Sequence, residues 1–148
     1  MKTSNVTAGV FSAMEVAASG LSAERSRMNL VAGNLANART TRTAEGGPYK
    51  RLDPVFSATP VAPGSFDPVL RRVETVQLAE VRPDTSPGNM VYEPGHPDAN
   101  AEGYVEYPNV NVVTEMVNMM TASRAYEAGV TSIESLKSMA RAALRIGK

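Results

Sequence analysis

The last quarter of the chain sets the strongest limit on what it can fold into. From Val112, steps of four and three residues reach Met116, Met119, Ser123, Tyr126, Val130, Ile133, Lys137, Ala140 and Leu144. Eight of those ten positions are apolar, the repeat of a helix that winds against other helices. No proline interrupts the run, and its one interior glycine, Gly129, costs on the order of 1 kcal/mol. Asn111, soon after Pro108, suits an N-cap. Glu115 lies near the start and Lys137, Arg141 and Arg145 toward the end, the charge order that a helix dipole favours. At about 1.5 Å per residue the predicted helix is roughly 50 Å long. A rod of that length cannot bury its stripe in a small core, so it needs partner helices.

The prolines divide the chain. All ten fall between Pro48 and Pro108, which leaves residues 1–47 and 109–148 free to be helical. The spacing predicts a first helix over about residues 6–38, with the stripe Val10, Met14, Ala17, Leu21, Glu24, Met28, Val31, Leu35 and Ala38. Gly9, Gly20 and Gly33 lie inside it; together with Ala13 and Ala17 they are expected to allow close helix approach. The expected organisation is a helix over 1–38, a polar loop and Pro-rich, β-rich insert over 39–108, and a second helix over 109–148. The fold class is therefore mainly α with a small β-rich insert. The two long terminal helices are expected to pack as an antiparallel, coiled-coil-like pair.

Within the insert, short strands are expected over residues 49–52, 55–58, 69–81, 90–92 and 104–107. Turns are expected at Pro60-Val61-Ala62-Pro63-Gly64 and Pro94-Gly95-His96-Pro97. Each of the four aspartates touches a proline, as Asp53-Pro54, Asp67-Pro68, Pro83-Asp84 and Pro97-Asp98. Such pairs are turn chemistry, which argues against a clustered acidic site.

Several function classes drop out. Fifteen basic and fifteen acidic side chains balance, which gives no footprint for nucleic acid or an acidic membrane surface. The longest apolar run near the N-terminus, residues 8–11, is shorter than a secretory signal requires, and no run approaches a membrane span. The expectation is a soluble chain without a cleaved signal peptide and without direct membrane insertion. With no cysteine and a single histidine, His96, thiolate metal sites and His-based triads are absent. No phosphate-binding loop, nucleophile elbow or dinucleotide turn occurs, so no cofactor and no enzymatic activity are expected. His96 reads as an exposed turn residue, and Arg71-Arg72 as a solvated pair. Met116, Met119 and Met120, joined by Val112, Val113 and Val117, wrap apolar surface around much of the second helix. Methionine adapts to more than one neighbour, so contact with several helices is one reading and simple core the other.

The run Met28-Asn29-Leu30-Val31-Ala32-Gly33-Asn34-Leu35-Ala36-Asn37 is odd for a helix interior. Asparagine is a poor helix former but an effective polar register pin between helices; Asn37 is equally readable as a C-cap. With Ser19-Gly20-Leu21-Ser22-Ala23-Glu24-Arg25 this run resembles the N-terminal motif of flagellar rod and hook proteins. The second half is more specific. Met90-Val91-Tyr92-Glu93-Pro94-Gly95, Gly103-Tyr104-Val105 and Pro108-Asn109-Val110 resemble the proximal rod members of that family. So do Glu115-Met116-Val117-Asn118, Ala122-Ser123-Arg124 and Tyr126, and Gly47-Pro48-Tyr49 after the polar loop. The match is weakest over residues 51–85. Gly33 and Gly129 depart from the family pattern and are expected to loosen helix contacts.

The resemblance implies a structural subunit of the proximal rod of the bacterial flagellar basal body, in the periplasmic space. It also implies other rod proteins and copies of the chain as partners, and export through the flagellar type III apparatus. Assembly contacts would then fall on Leu21, Met28, Asn29, Val31, Asn34, Leu35 and Asn37 of the first helix. On the second they would fall on Val112, Met116, Met119, Met120, Ser123, Tyr126, Val130, Ile133 and Leu144. The alternative from another class is a soluble helical adaptor or export chaperone working as a closed oligomer.

Overall fold

The structure is a computed structural model. It describes residues 3–61 and 73–146, with side chains over 9–61 and 73–145. In chain order, two long helices, α1 (Thr3–Ala36) and α2 (Val112–Ile146), come before and after four strands: β1 (Leu52–Pro60), β2 (Glu74–Pro83), β3 (Asn89–Tyr92) and β4 (Tyr104–Tyr107). The strands form two separate pairs, β1 with β2 and β3 with β4. Residues 69–72, Arg71-Arg72 and Asp67-Pro68, all assigned from sequence, lie outside the described residues.

The helix ends follow local chemistry. The Asn111 side chain accepts the Thr114 N–H at 3.1 Å, the N-cap expected there. At the other end of α1, Asn37 Nδ2 donates to the Gly33 carbonyl at 2.9 Å and the Asn37 N–H to the same oxygen at 3.1 Å. α1 ends at Ala36, two residues before the predicted end, and Asn37 just beyond it closes the helix, consistent with its C-cap reading.

The chain divides into two compact units. The first gathers the described residues within 1–26, 56–79 and 122–148; the second gathers 27–55 and 80–121. In the first unit the buried side chains are small: Ala122, Ala23 and Thr75. Leu21 Cδ2 lies 2.7 Å from where a Cβ on Gly129 would stand. The expectation that Gly129 loosens a contact is therefore corrected, because the glycine is the recess that admits Leu21. At Gly9, Gly20 and Gly33, by contrast, an added Cβ would meet nothing within 4 Å. Among the described residues they bring no helix closer. Ser19 Oγ donates to the Val16 carbonyl and accepts the Val76 N–H at 3.1 Å, which fastens β2 to α1.

The β1–β2 ribbon is antiparallel, with the Val61 N–H donating to Val73 at one end and the Asp84 N–H to Arg51 at the other. β1 replaces the two short strands expected there and runs straight through Asp53-Pro54. Both strands of a two-stranded ribbon are edges, so a proline that lacks an N–H can face outward without breaking the ladder.

The second unit holds the denser core, with Val31, Val105, Pro108 and Val110 buried. β3 and β4 pair antiparallel, Asn89 opposite Tyr107 through Tyr92 opposite Tyr104. The connection between them needs Gly103, whose φ is +84°. Gly88 leads into β3 so close to the Tyr107 carbonyl that a Cβ could not be accommodated. His96 is half-buried in its turn, with Nδ1 accepting the Asp98 N–H at 3.1 Å.

Gly88→Ala should lower the stability of the free chain by about 1–3 kcal/mol, the usual cost of overpacking. Gly20→Ala should raise it by up to about 1 kcal/mol, the helix-propensity difference. Urea unfolding of the purified chain measures both, and equal midpoints for the two variants would contradict the packing described.

Candidate assembly surface

Burial separates α2 into two faces. The less exposed series is Glu115, Met119, Ala122, Tyr126, Gly129, Ile133, Leu136 and Ala140. It keeps the four–three spacing of the sequence stripe and shares Met119, Tyr126, Ile133 and Ala140 with it. At the alternate positions it moves one residue toward the N-terminus, to Glu115, Ala122, Gly129 and Leu136. Counting apolar residues favours Met116 over Glu115, although the carboxylate is the more enclosed; Gly129 and Val130 are both half-buried. Met116 is 54% exposed, while Ser123 and Val130 are half-buried.

The other face carries Val112, Val113, Met116, Val117 and Met120 at successive helical neighbours i, i+1, i+4, i+5 and i+8. All five are exposed, Val113 the most at 71%. They belong to the second unit and to the first three turns of α2. Further along, Leu144 is exposed as well. On α1, Val31 and Asn34 are buried; Leu21, Met28, Leu35 and Asn37 are half-buried; Asn29 is exposed. The residues expected at assembly contacts therefore do not form one class. Some are already covered within the chain, and the group opening α2 is not.

Asn34 is the centre of a polar site in the second unit. Its Oδ1 accepts the Leu52 N–H and the Tyr49 hydroxyl, each at 2.9 Å. Its Nδ2 donates to the Leu52 carbonyl at 3.0 Å and to Glu115 Oε2 at 3.1 Å. All four hydrogen-bonding positions of the amide are used. The amide meets Leu52 as a neighbouring strand would, with one bond in each direction. Glu115, 1% exposed, also takes Arg51 Nε at 2.9 Å and Asn118 Nδ2 at 3.2 Å on Oε1. Arg51 further pairs with Asp53 at 2.6 Å and Asp84 at 3.9 Å. Asn109 accepts the Arg51 N–H and donates to the Asp84 and Ser86 carbonyls.

Two of the aspartates assigned to turns thus pair with one guanidinium. Asp84 still serves its turn, since it accepts the Ser86 N–H and hydroxyl. Those bonds, more than nearby Arg51, hold its carboxyl below the usual range. Burial works to lower the Arg51 pKa, but the hydrogen bond and charge of Glu115, followed by Asp53, outweigh it and raise the value. Burial, then the Glu115 charge, raises the Tyr49 phenol. Sequence reasoning missed Arg51, Tyr49 and Glu115 at this site. The available signal was a carboxylate one residue from an apolar heptad position.

Among the described residues no group of three His, Cys, Asp or Glu side chains is set to hold a metal, and no helix is long and apolar enough to cross a membrane.

Two family profiles match. One described as flagella basal body rod protein covers residues 14–42, and one described as flagellar basal body rod FlgEFG protein C-terminal covers residues 101–146. The chain is 45% identical over 148 residues to the flagellar basal-body rod protein FlgC of Borreliella burgdorferi, covering 93% of this chain and 97% of that one. It is 42% identical over 134 residues to the FlgC of Escherichia coli O157:H7, covering 90% and 95%. With the FlgC of Bacillus subtilis the identity is 39% over 150 residues, covering 93% and 98%.

The Tyr49 hydroxyl donates to Asn34 only while protonated. A raised folded pKa means that its contribution is complete below the unfolded value of about 10 and is lost as pH rises through the folded one. A phenolate absorbance titration should therefore show a late-ionising component to which Tyr49 and the Glu93-bonded Tyr107 both contribute, and Tyr49→Phe should reduce it. An unchanged titration in Tyr49→Phe would contradict the geometry.

Proposed function

Because the chain belongs to the FlgC family of flagellar basal-body rod proteins and is a structural subunit of that rod, we propose that it enters the rod through its terminal helices. Residues 1–38 and 109–148 form the rod-building part, and 39–108 the insert between them. α1 and α2 pair as an antiparallel, coiled-coil-like hairpin. Two contacts support that pairing: Leu21 in the recess at Gly129, and Asn34 bonded to Glu115.

The observation that carries the assembly reading is the uncovered face Val112, Val113, Met116, Val117 and Met120. Covering a valine or methionine side chain is worth about 1.5–3 kcal/mol, and association must first offset its own entropy. A contiguous apolar stripe supplies that surplus where scattered residues would not. Its partners are helices of other rod proteins and of further copies of the chain. A patch that meets a different surface on its neighbour builds an open helical stack wherever the rotation between neighbours does not close into a ring. The role is structural and located in the periplasmic part of the basal body, which the chain reaches through the flagellar type III export apparatus.

Val113→Asp tests this directly, because the side chain is exposed in the free chain. The purified variant should keep its normal circular dichroism and unfolding midpoint, yet cells carrying it should lose motility and rod assembly. Ile133→Asp, on the more enclosed face, should lose both folding and assembly, and Glu134→Gln should swim normally. Normal swimming with Val113→Asp would remove the outer face of α2 from the interface.

A further inference from the structure

We propose that Met116 and Met120 are an oxidation-sensitive pair, whose conversion to sulfoxides by a peroxide disables the outer face of α2 in the free chain without disturbing the fold. The effect on assembly rests on the docking role given to that face above; the oxidation itself does not.

The chain has no cysteine and no tryptophan, so its eight methionines are the side chains most open to peroxide. Exposure then decides which of them react first. Met90, Met120 and Met139 are each 56% exposed and Met116 is 54% exposed, whereas Met14, Met28 and Met119 are half-buried. Of the exposed group, only Met116 and Met120 belong to the apolar stripe that opens α2. They stand one helical turn apart, at i and i+4, among Val112, Val113 and Val117.

The chemistry needs only the thioether and the oxidant. A lone pair on sulfur attacks one oxygen of hydrogen peroxide, the O–O bond breaks and water departs. Sulfur gains that oxygen and is oxidised by two electrons as the peroxide is reduced, and no bond of the chain is cut. Methionine sulfoxide reductases reverse the step with a thiol as reductant. While it lasts, a flexible apolar side chain carries a polar acceptor oxygen. The flanking polar groups of α2 are already engaged, the Thr121 hydroxyl with the Val117 carbonyl at 2.8 Å and Asn118 Nδ2 with Glu115 Oε1 at 3.2 Å. The three valines offer no side-chain donor. A helix packed on the stripe would therefore enclose both sulfoxide oxygens in apolar surroundings, each weakening the contact by roughly tenfold. The fold is spared, because both side chains already face solvent and the Asn34–Glu115 bond does not involve them. The thioether that lets methionine adapt to different neighbours is thus also the point at which the contact can be switched off.

Hydrogen peroxide on the purified full-length chain, followed by peptide mass spectrometry, tests the first half. Met116 and Met120 should oxidise at least about threefold faster than Met119, with the circular dichroism unchanged. Equal rates at the three residues, or loss of the helical signal, would overturn the proposal. Cells expressing the unaltered chain together with Met116→Leu/Met120→Leu, told apart by mass, test the second half. A peroxide pulse should raise the share of the Leu variant in newly built basal bodies at least about tenfold, relative to its share in the soluble pool and to the same ratio without peroxide. An unchanged ratio would overturn the proposal. Met116→Gln/Met120→Gln, which places polar groups at both positions permanently, should fail to build rods. If it assembles while Val113→Asp does not, the oxidation proposal falls and the docking face stands. If both assemble, the docking reading falls with it.

Discussion

A carboxylate buried at the start of α2 governs the second unit. Enclosing Glu115 carries a desolvation cost that only close, well-directed donors can offset. Asn34, Arg51 and Asn118 provide them. Each donor belongs to a segment that must then be in place. The Asn34 amide is committed to Leu52 as well, and the Arg51 guanidinium to Asp53 and Asp84. One enclosed charge thus determines the relation of α1, the first strand and α2 in this unit. An apolar contact of the same size would tolerate a slipped register, whereas a four-way bonded amide does not.

The same helix turn faces two ways. Glu115 and Met119 turn toward the chain's own polar site and core, while Val112, Val113, Met116, Val117 and Met120 turn away from it. The polar side holds the helix start in place, and the apolar side is left for something else to cover. Methionine suits such a surface, because its unbranched side chain can repack against neighbours that are not identical. The proposed docking stripe of a rod subunit thus lies on the helix start whose other side is bonded to Asn34 and Arg51.

Much of this was legible in the sequence. The proline-free ends located both helices, and Asn111 marked the start of the second. Three things were not legible. The seam on α2 lies one residue off the apolar count at alternate positions, because Glu115 and Gly129 look unsuitable until Asn34 and Leu21 are seen opposite them. Asp53-Pro54 reads as a turn, yet the two-stranded ribbon offers an edge on which a proline is harmless. The acidic residues around Arg51 are separated by tens of positions, and nothing local announces their convergence. In each case the deciding partner is distant along the chain.

The central claim is that neighbouring subunits cover the outer face of α2. A density map of the basal-body rod at side-chain resolution tests it most directly. The account predicts helices of adjacent subunits packed on Val113, Met116, Val117 and Met120, with the Asn34–Glu115 bond retained inside each subunit. A map in which those four side chains face solvent, or line the open bore of the rod, would contradict it.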